Sequence, residues 1–288
     1  MIVLSGRYDP AVLKKLQGFE LEILRDFIRV CEENNLVYFG FAGTGIGALR
    51  HGGFIPWDDD IDLAMPRDDY RKAMEVFERD LADKYTVVHA GKYKDFPVMN
   101  THIILNDSTF ITTEDKRGSY PQGIFLDIFP VDHTPADEAK RARHLRKCWL
   151  LSKILILKHI PFPHLPFRGW KAKIAHCVTA VAWFFLNLFC ISHNFLYERC
   201  LRACTAYNDT DTGVYAYCCG TVLGGCVFDK EKTFPLRKEK FEDTEICFPQ
   251  NLEETLTALY GDFMRVPPPE KQINHCPDVL IFPGESDK

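Results

Sequence analysis

Apolar residues recur at three- and four-residue steps from Asp9 to Asn34, through Val12, Leu13, Leu16, Phe19, Ile23, Leu24, Phe27, Ile28 and Cys31. That period predicts an amphipathic helix that starts at Asp9-Pro10 and ends in the polar run Glu32-Glu33-Asn34-Asn35. A strand-like apolar run, Val37 to Ala42, then leads through Gly43-Thr44-Gly45 into a short helical segment, Ile46 to Arg50. At Trp57 the period changes to two. A second helix is expected from Met65-Pro66 to about Asp83, with Asp68 and Asp69 in a first turn that favours negative charge. Short strands follow at Tyr85 to Val88, Met99 to Leu105 and Thr109 to Thr112, and a longer apolar run extends from Gly123 to Val131. Beyond it, Asp132 reads as a turn residue.

From about Pro135 to Asn208 the chain reads as helix with heavy apolar and aromatic content. Strands return over Tyr215 to Val227 and Lys238 to Pro249, and a last helix, Asn251 to Tyr260, stops at Gly261. The alternation of helices and strands predicts an α+β fold with a helical insertion. Its expected parts are a core over 1–134, a helical apolar insertion over 135–215, and a segment over 216–288 that completes the core. Within the insertion, Ile174 to Leu196 contains no Asp, Glu, Lys or Arg. A buried helix is the first reading. The second is a peripheral contact with a membrane surface or lipid acceptor, helped by the basic residues from Lys140 to Lys147 and by Arg168, Lys171 and Lys173. A true span ranks third, because polar residues dilute a run that only approaches the required length.

A chain of 288 residues suffices for one large domain, or for one domain with an insertion. Its net charge of −5 provides no general basic field, which argues against nucleic-acid binding. There are eleven cysteines, no Cys-x-x-Cys pair, and no long apolar core after Met1. Reduced thiols and a cytoplasmic location are expected. Cys218, Cys219 and Cys226 have a poor spacing for zinc.

The chemistry is concentrated in Trp57-Asp58-Asp59-Asp60-Ile61-Asp62-Leu63. In an extended chain, Asp58, Asp60 and Asp62 share one face, while Asp59, Ile61 and Leu63 share the other. Three carboxylates about 6 to 7 Å apart call for a hard divalent cation, Mg2+ or Mn2+. An EF-hand loop does not fit, since its sixth position requires Gly and holds Leu63, and its twelfth holds Asp69 in place of Glu. Asp127 is a lone aspartate in an apolar strand, costly unless paired or metal-bound, and is the second candidate. The glycines around Thr44 would let backbone N–H groups approach an anion, so Gly43 and Thr44 are candidates for holding a phosphate.

The run Gly43-Thr44-Gly45-Ile46-Gly47-Ala48-Leu49-Arg50-His51-Gly52-Gly53-Phe54-Ile55-Pro56-Trp57-Asp58-Asp59-Asp60-Ile61-Asp62 resembles the signature of the LicD family, which includes bacterial phosphocholine transferases and is related to fukutin and fukutin-related protein. The likeness continues in Asp127-Ile128-Phe129-Pro130, Phe248-Pro249, Tyr260-Gly261-Asp262, Pro267-Pro268 and His275, and is thinnest between about Pro135 and Ala216. It implies a nucleotidyltransferase-like mixed sheet flanked by helices, and transfer of a phosphorylated alcohol, with phosphocholine the first choice, from a CDP-activated donor to a glycan or glycolipid with release of CMP. By the resemblance Asp60, Asp62 and Asp127 would be catalytic, metal would sit on Asp58, Asp60, Asp62 and Asp127, and Gly43, Thr44, Arg50 and His51 would contact the donor. Asp127 would complete the metal site or accept the proton of the attacking hydroxyl. The rivals are a nucleotidyltransferase that releases pyrophosphate and a non-catalytic glycan- or lipid-binding protein.

Overall fold

The computed structural model describes residues 8–163, 169–221, 223–224, 226–272 and 274–285, so Arg168 lies outside the described residues. In chain order the elements are α1 (Pro10–Glu33), β1 (Phe39–Gly40), α2 (Ala42–His51), β2 (Asp62–Pro66), α3 (Arg67–Asp80), β3 (Tyr85–Val88), β4 (Thr101–Leu105), β5 (Thr109–Ile111) and β6 (Phe125–His133). There follow α4 (Glu138–His159), α5 (Trp170–Leu188), α6 (His193–Cys204), β7 (Val214–Tyr217), β8 (Cys226–Asp229), α7 (Lys230–Thr233), β9 (Arg237–Phe241), β10 (Thr244–Phe248), α8 (Leu252–Tyr260) and β11 (Val279–Ile281).

A seven-stranded mixed sheet organises the molecule, and β6 is its hub. It pairs parallel with β2, antiparallel with β4 along its first half, and antiparallel with β7 at its end. Strand β1 extends the sheet beyond β2, β3 beyond β4, and β8 beyond β7. Two small antiparallel pairs, β9 with β10 and β5 with β11, stand beside it. Pro130 continues β6 at little cost. The Asp127 amide donates to Ile61 O across the β2 side, so the nitrogen of Pro130 faces the other edge, where β4 has ended at Thr101 and β7 has not begun. Asp132 is therefore inside β6 and not in a turn.

Two cores cover the two faces of the sheet. Leu63, Met65, Leu126 and Ile128 pack with Leu16, Ile23, Leu24 and Phe27 of α1. Ala64 and Val131 pack on the opposite face with Leu145, Leu155, Leu196 and Cys200 of the helical insertion. Helix α1 begins where the sequence places it, with the Asp9 carboxylate accepting from the Ala11 amide at 2.8 Å. Helix α3 differs in detail: Pro66 occupies its cap position without a side-chain bond, and Asp68 and Asp69 act only as acidic first-turn residues.

The glycine-rich stretch is helical from Ala42 onwards, and the expected strand shrinks to Phe39–Gly40. Space explains this. A Cβ on Gly47 would fall inside van der Waals contact of the Gly53 carbonyl oxygen, and one on Gly45 would lie 3.0 Å from Leu252 Cδ1. These two glycines serve close packing. Gly47→Ala should cost about 1–3 kcal/mol, read as a lower urea midpoint at unchanged m-value, because the opposing atom belongs to backbone and cannot step aside.

Helix α5 corrects the first reading of the apolar stretch. None of its described residues is buried, and Trp170, Ile174, Val178, Val181, Phe184 and Leu188 are all more than half exposed. Apolar residues occur all round the helix, and α4, which packs against it, covers only part of it. Among the described residues no single helix is long and apolar enough to cross a membrane; α5 and α6 pass that test only together, and they are bent by 111°.

Candidate active site

The register of the central strands brings the predicted carboxylates together. Asp62, the first residue of β2, is the direct partner of Asp127 on the parallel strand β6, and Asp127 is in turn the partner of His102 on β4. Asp62 and Asp127 share the parity of Ala64 and Phe129, so they lie on the face covered further along by the insertion. The period-two reading of the acidic run holds, although regular pairing starts only at Asp62. Asp58, Asp60 and Asp62 are partly exposed, while Asp59, Ile61 and Leu63 point into the protein.

Asp59 is a structural tie. Its carboxylate accepts from Tyr8 Oη at 2.6 Å, from the His275 amide at 2.9 Å and from the Cys276 amide at 3.1 Å, and it lies 3.2 Å from His275 Nδ1. It thereby joins the segments before α1 and before β11 to the acidic run. Asp127 has a smaller set of partners. Asn100 Nδ2 donates to its Oδ1 at 2.6 Å, and His102 Nε2 lies 3.4 Å from the same oxygen.

Burial and mutual repulsion act on these groups in the same direction. Asp58 is pushed up to about 8 by burial and by the charges of Asp60 and Asp59. Asp127 is pushed up to about 7, with burial the main cause and the Asn100 hydrogen bond opposing it. Asp60 is raised by burial, and Asp62 is raised well above the carboxylate range by burial and by Asp60, Asp127 and Asp58. His275, on the rim, is raised by its hydrogen bond to Asp59 and by Asp60, Asp59 and Asp62. Burial lowers His102 to about 4, so its ring is neutral at pH 7.

The donor set fits a hard divalent cation, because four oxygen-bearing groups are held in positions where their own charge is disfavoured. Among the described residues, the acidic group whose ligand atoms all lie within 4.8 Å of one another is Asp59, Asp60 and His275. The oxygens of Asp59 are already occupied by four donor groups, so Asp60 is the carboxylate of that trio with capacity to spare. A pH dependence follows. Folded pKa values raised above the unfolded ones mean that the native state binds extra protons, so these groups lower stability as pH rises from about 4 to about 8. Thermal melts without divalent cation should show this fall, and millimolar Mg2+ should restore more stability at pH 8 than at pH 6.

The predicted phosphate contacts separate into two places. Gly43 lies at the start of α2, where a Cβ would stand 3.0 Å from Asp58 Oδ2. The helix start has no side-chain cap, and its first residue, Ala42, stands at φ +49°, a left-handed conformation uncommon for alanine. Thr44 is buried, and its Oγ1 accepts from the Asp62 amide at 2.8 Å, which fixes α2 against the first carboxylate of β2. Arg50 and His51 are at the other end of α2. Arg50 donates to His51 Nε2 at 2.9 Å and to Phe263 O at 2.7 Å and lies over Trp57, a brace between α2 and the C-terminal segment. The structure does not bring these two to the helix start with Gly43. Arg67, at the start of α3, is buried in an ion pair with Asp132.

Sequence reasoning passed over Asn100 and His102 and gave His275 no role. His102 had a signal, as an imidazole beside the apolar Ile103-Ile104-Leu105 in the expected strand from Met99 to Leu105. His275 and Tyr260, whose hydroxyl is influenced by Asp62, Asp58 and Asp60, come from the distant C-terminal segment.

Paired carboxylates on adjacent parallel strands, beside an uncapped helix start, are the arrangement expected of a nucleotidyltransferase-like enzyme. The family model for the LicD/FKTN/FKRP nucleotidyltransferase domain matches residues 35–174. The lipopolysaccharide cholinephosphotransferase LicD of Haemophilus influenzae is 30% identical over 269 residues, covering 91% of this chain and 95% of that protein. An uncharacterised protein of Rickettsia prowazekii is 28% identical over 116 residues, 38% of this chain and 44% of that protein. The chain belongs to the LicD family. It is an enzyme, a phosphotransferase of the LicD type.

Proposed function

We propose that the protein transfers phosphocholine from CDP-choline to a hydroxyl of a cell-surface glycan or glycolipid, releasing CMP. The observation that carries this reading is the register pairing of Asp62 with Asp127 beside Asp58 and Asp60. The Haemophilus influenzae relative, a lipopolysaccharide cholinephosphotransferase, supports the choice of phosphocholine and of a glycan acceptor.

In this reading Asp60 and Asp62, with Asp58 directly or through water, would hold Mg2+ or Mn2+, which would neutralise charge on the diphosphate oxygens, and Asp127 would serve as the base. Gly43, at the uncapped start of α2 beside Asp58, would let a phosphate approach the backbone. Asn100 holds Oδ1 of Asp127 and leaves Oδ2 to accept the proton of the acceptor hydroxyl, a task suited to a group near 7. The hydroxyl oxygen forms the new bond to the choline-bearing phosphorus, the bond from that phosphorus to the bridging oxygen breaks, and CMP leaves with the electron pair. His102 stays neutral and braces Asp127.

The insertion over 135–215 would form the acceptor side, with 1–134 and 216–288 as the core. The exposed apolar surface of α5, with Lys171 and Lys173 in its first turn, supports a peripheral membrane contact that would suit a lipid-linked acceptor. The test is a panel of CDP-choline, CDP-ribitol and CDP-glycerol supplied with glycan extract. CMP from CDP-choline alone supports the reading, and CMP from another donor changes the alcohol. Release of pyrophosphate from a nucleoside triphosphate would replace the reading with nucleotidyl transfer.

A further inference from the structure

Five of the cysteines converge at one buried point where α4, α6 and the turn after β7 meet. Cys148 lies on α4, Cys200 and Cys204 are one turn apart on α6, and Cys218 and Cys219 follow β7; all five are buried free thiols. Cys219 Sγ is 3.7 Å from Cys200 Sγ and 3.4 Å from Cys204 Sγ, and Cys204 also contacts the thiols of Cys148 and Cys218. The ligand atoms of Cys200, Cys204 and Cys219 all lie within 4.8 Å of one another, as do those of His144, Cys148 and Cys218.

Buried cysteines are ordinarily small apolar residues, and one or two here would need no other account. Five linked through the Cys204 thiol, supplied by three separate elements, do. Sulfurs at the corners of a tetrahedron with metal–sulfur bonds of about 2.3 Å stand about 3.8 Å apart, close to the spacings seen here. We propose that this cluster is a structural zinc site, with Cys200, Cys204 and Cys219 as three thiolate ligands and Cys148 or Cys218 as the fourth. The site differs from the trio considered in the sequence. Cys226 pairs with Tyr217 in the β7–β8 ladder and is influenced by Asp62, while Cys218 and Cys219 turn to α4 and α6. Four thiolates around a divalent ion leave a net negative centre; Lys153 is a cation whose charge reaches Cys219, while Arg67, near Cys204, is already paired with Asp132, whose carboxylate lies within 4.8 Å of the Cys204 and Cys218 sulfurs. The zinc would pin the helical insertion to the end of the central sheet. It requires nothing of the phosphotransfer reading.

The experiment is metal analysis of the full chain purified without added metal or chelator, with Cys200→Ser, Cys204→Ser and Cys219→Ser as variants and Cys177→Ser, an exposed position on α5, as control. The expected result is about one zinc per chain in wild type and control, and loss of most of it in each cluster variant. Cys148→Ser and Cys218→Ser identify the fourth ligand. Should the cluster variants fail to fold, wild type produced with Co2+ decides, since tetrahedral thiolate-bound Co2+ has intense visible bands. Wild type that is folded and metal-free, that carries a disulfide among these five residues, or that holds iron would overturn the assignment.

Discussion

Asp62→Asn should lower CMP release by at least about 10²–10³-fold while leaving the protein folded and, without divalent cation, more heat-stable than wild type. The two effects have one origin. Asp62 is raised well above the carboxylate range by burial and by Asp60, Asp127 and Asp58, so an uncharged side chain of the same shape relieves repulsion in the metal-free state. It also removes the carboxylate that the register sets directly against Asp127. Turnover and thermal melts on the same preparations separate this from simple damage. Lost activity together with lost stability would mean that Asp62 is structural.

The largest stability effect is expected at Asp132. Arg67 Nε and Nη2 donate to its two oxygens at 2.9 and 2.6 Å, and Asn208 Nδ2 adds a third bond at 2.7 Å. Arg67 is 9% exposed and Asp132 1%, so Asp132→Ala leaves a buried guanidinium without its counter-charge. A loss of about 3–5 kcal/mol is expected, measured from urea unfolding. The pair joins the start of α3 to the end of β6, on the side of the sheet where the cysteine cluster lies. Replacing both partners with apolar residues should recover much of the loss, because the cost lies in the unpaired charge.

Local periodicity made much of this legible. The Asp9 cap, the existence of α3, the boundaries of β3, and the parity of Asp58, Asp60 and Asp62 are properties of neighbouring residues, and period and capping chemistry reveal them directly. Asp127 was legible because a carboxylate in an apolar strand requires an explanation. Pairings between distant residues were not. Arg67 and Asp132 are 65 residues apart, and Asp59 and the His275 amide 216 apart, so no local pattern reports either. The glycine-rich stretch misled for a related reason. Gly43-Thr44-Gly45 read as a turn, whereas all three residues are helical, and Gly45 is small because Leu252 approaches it. Composition also failed for α5, since an apolar helix is buried only if enough neighbours surround it, and their number is a property of the assembled fold.

The central claim is that the acidic cleft uses a divalent cation to move phosphocholine from a CDP-linked donor. Its most direct test is the rate of CMP formation from CDP-choline with glycan acceptor as Mg2+ is titrated from none to millimolar, with the metal omitted and no chelator added, so that tightly held zinc is undisturbed. The account predicts no CMP without Mg2+ and a saturating rise as it is added, absent in Asp62→Asn. CMP formed at the same rate with and without the cation, or undiminished in Asp62→Asn, would contradict it.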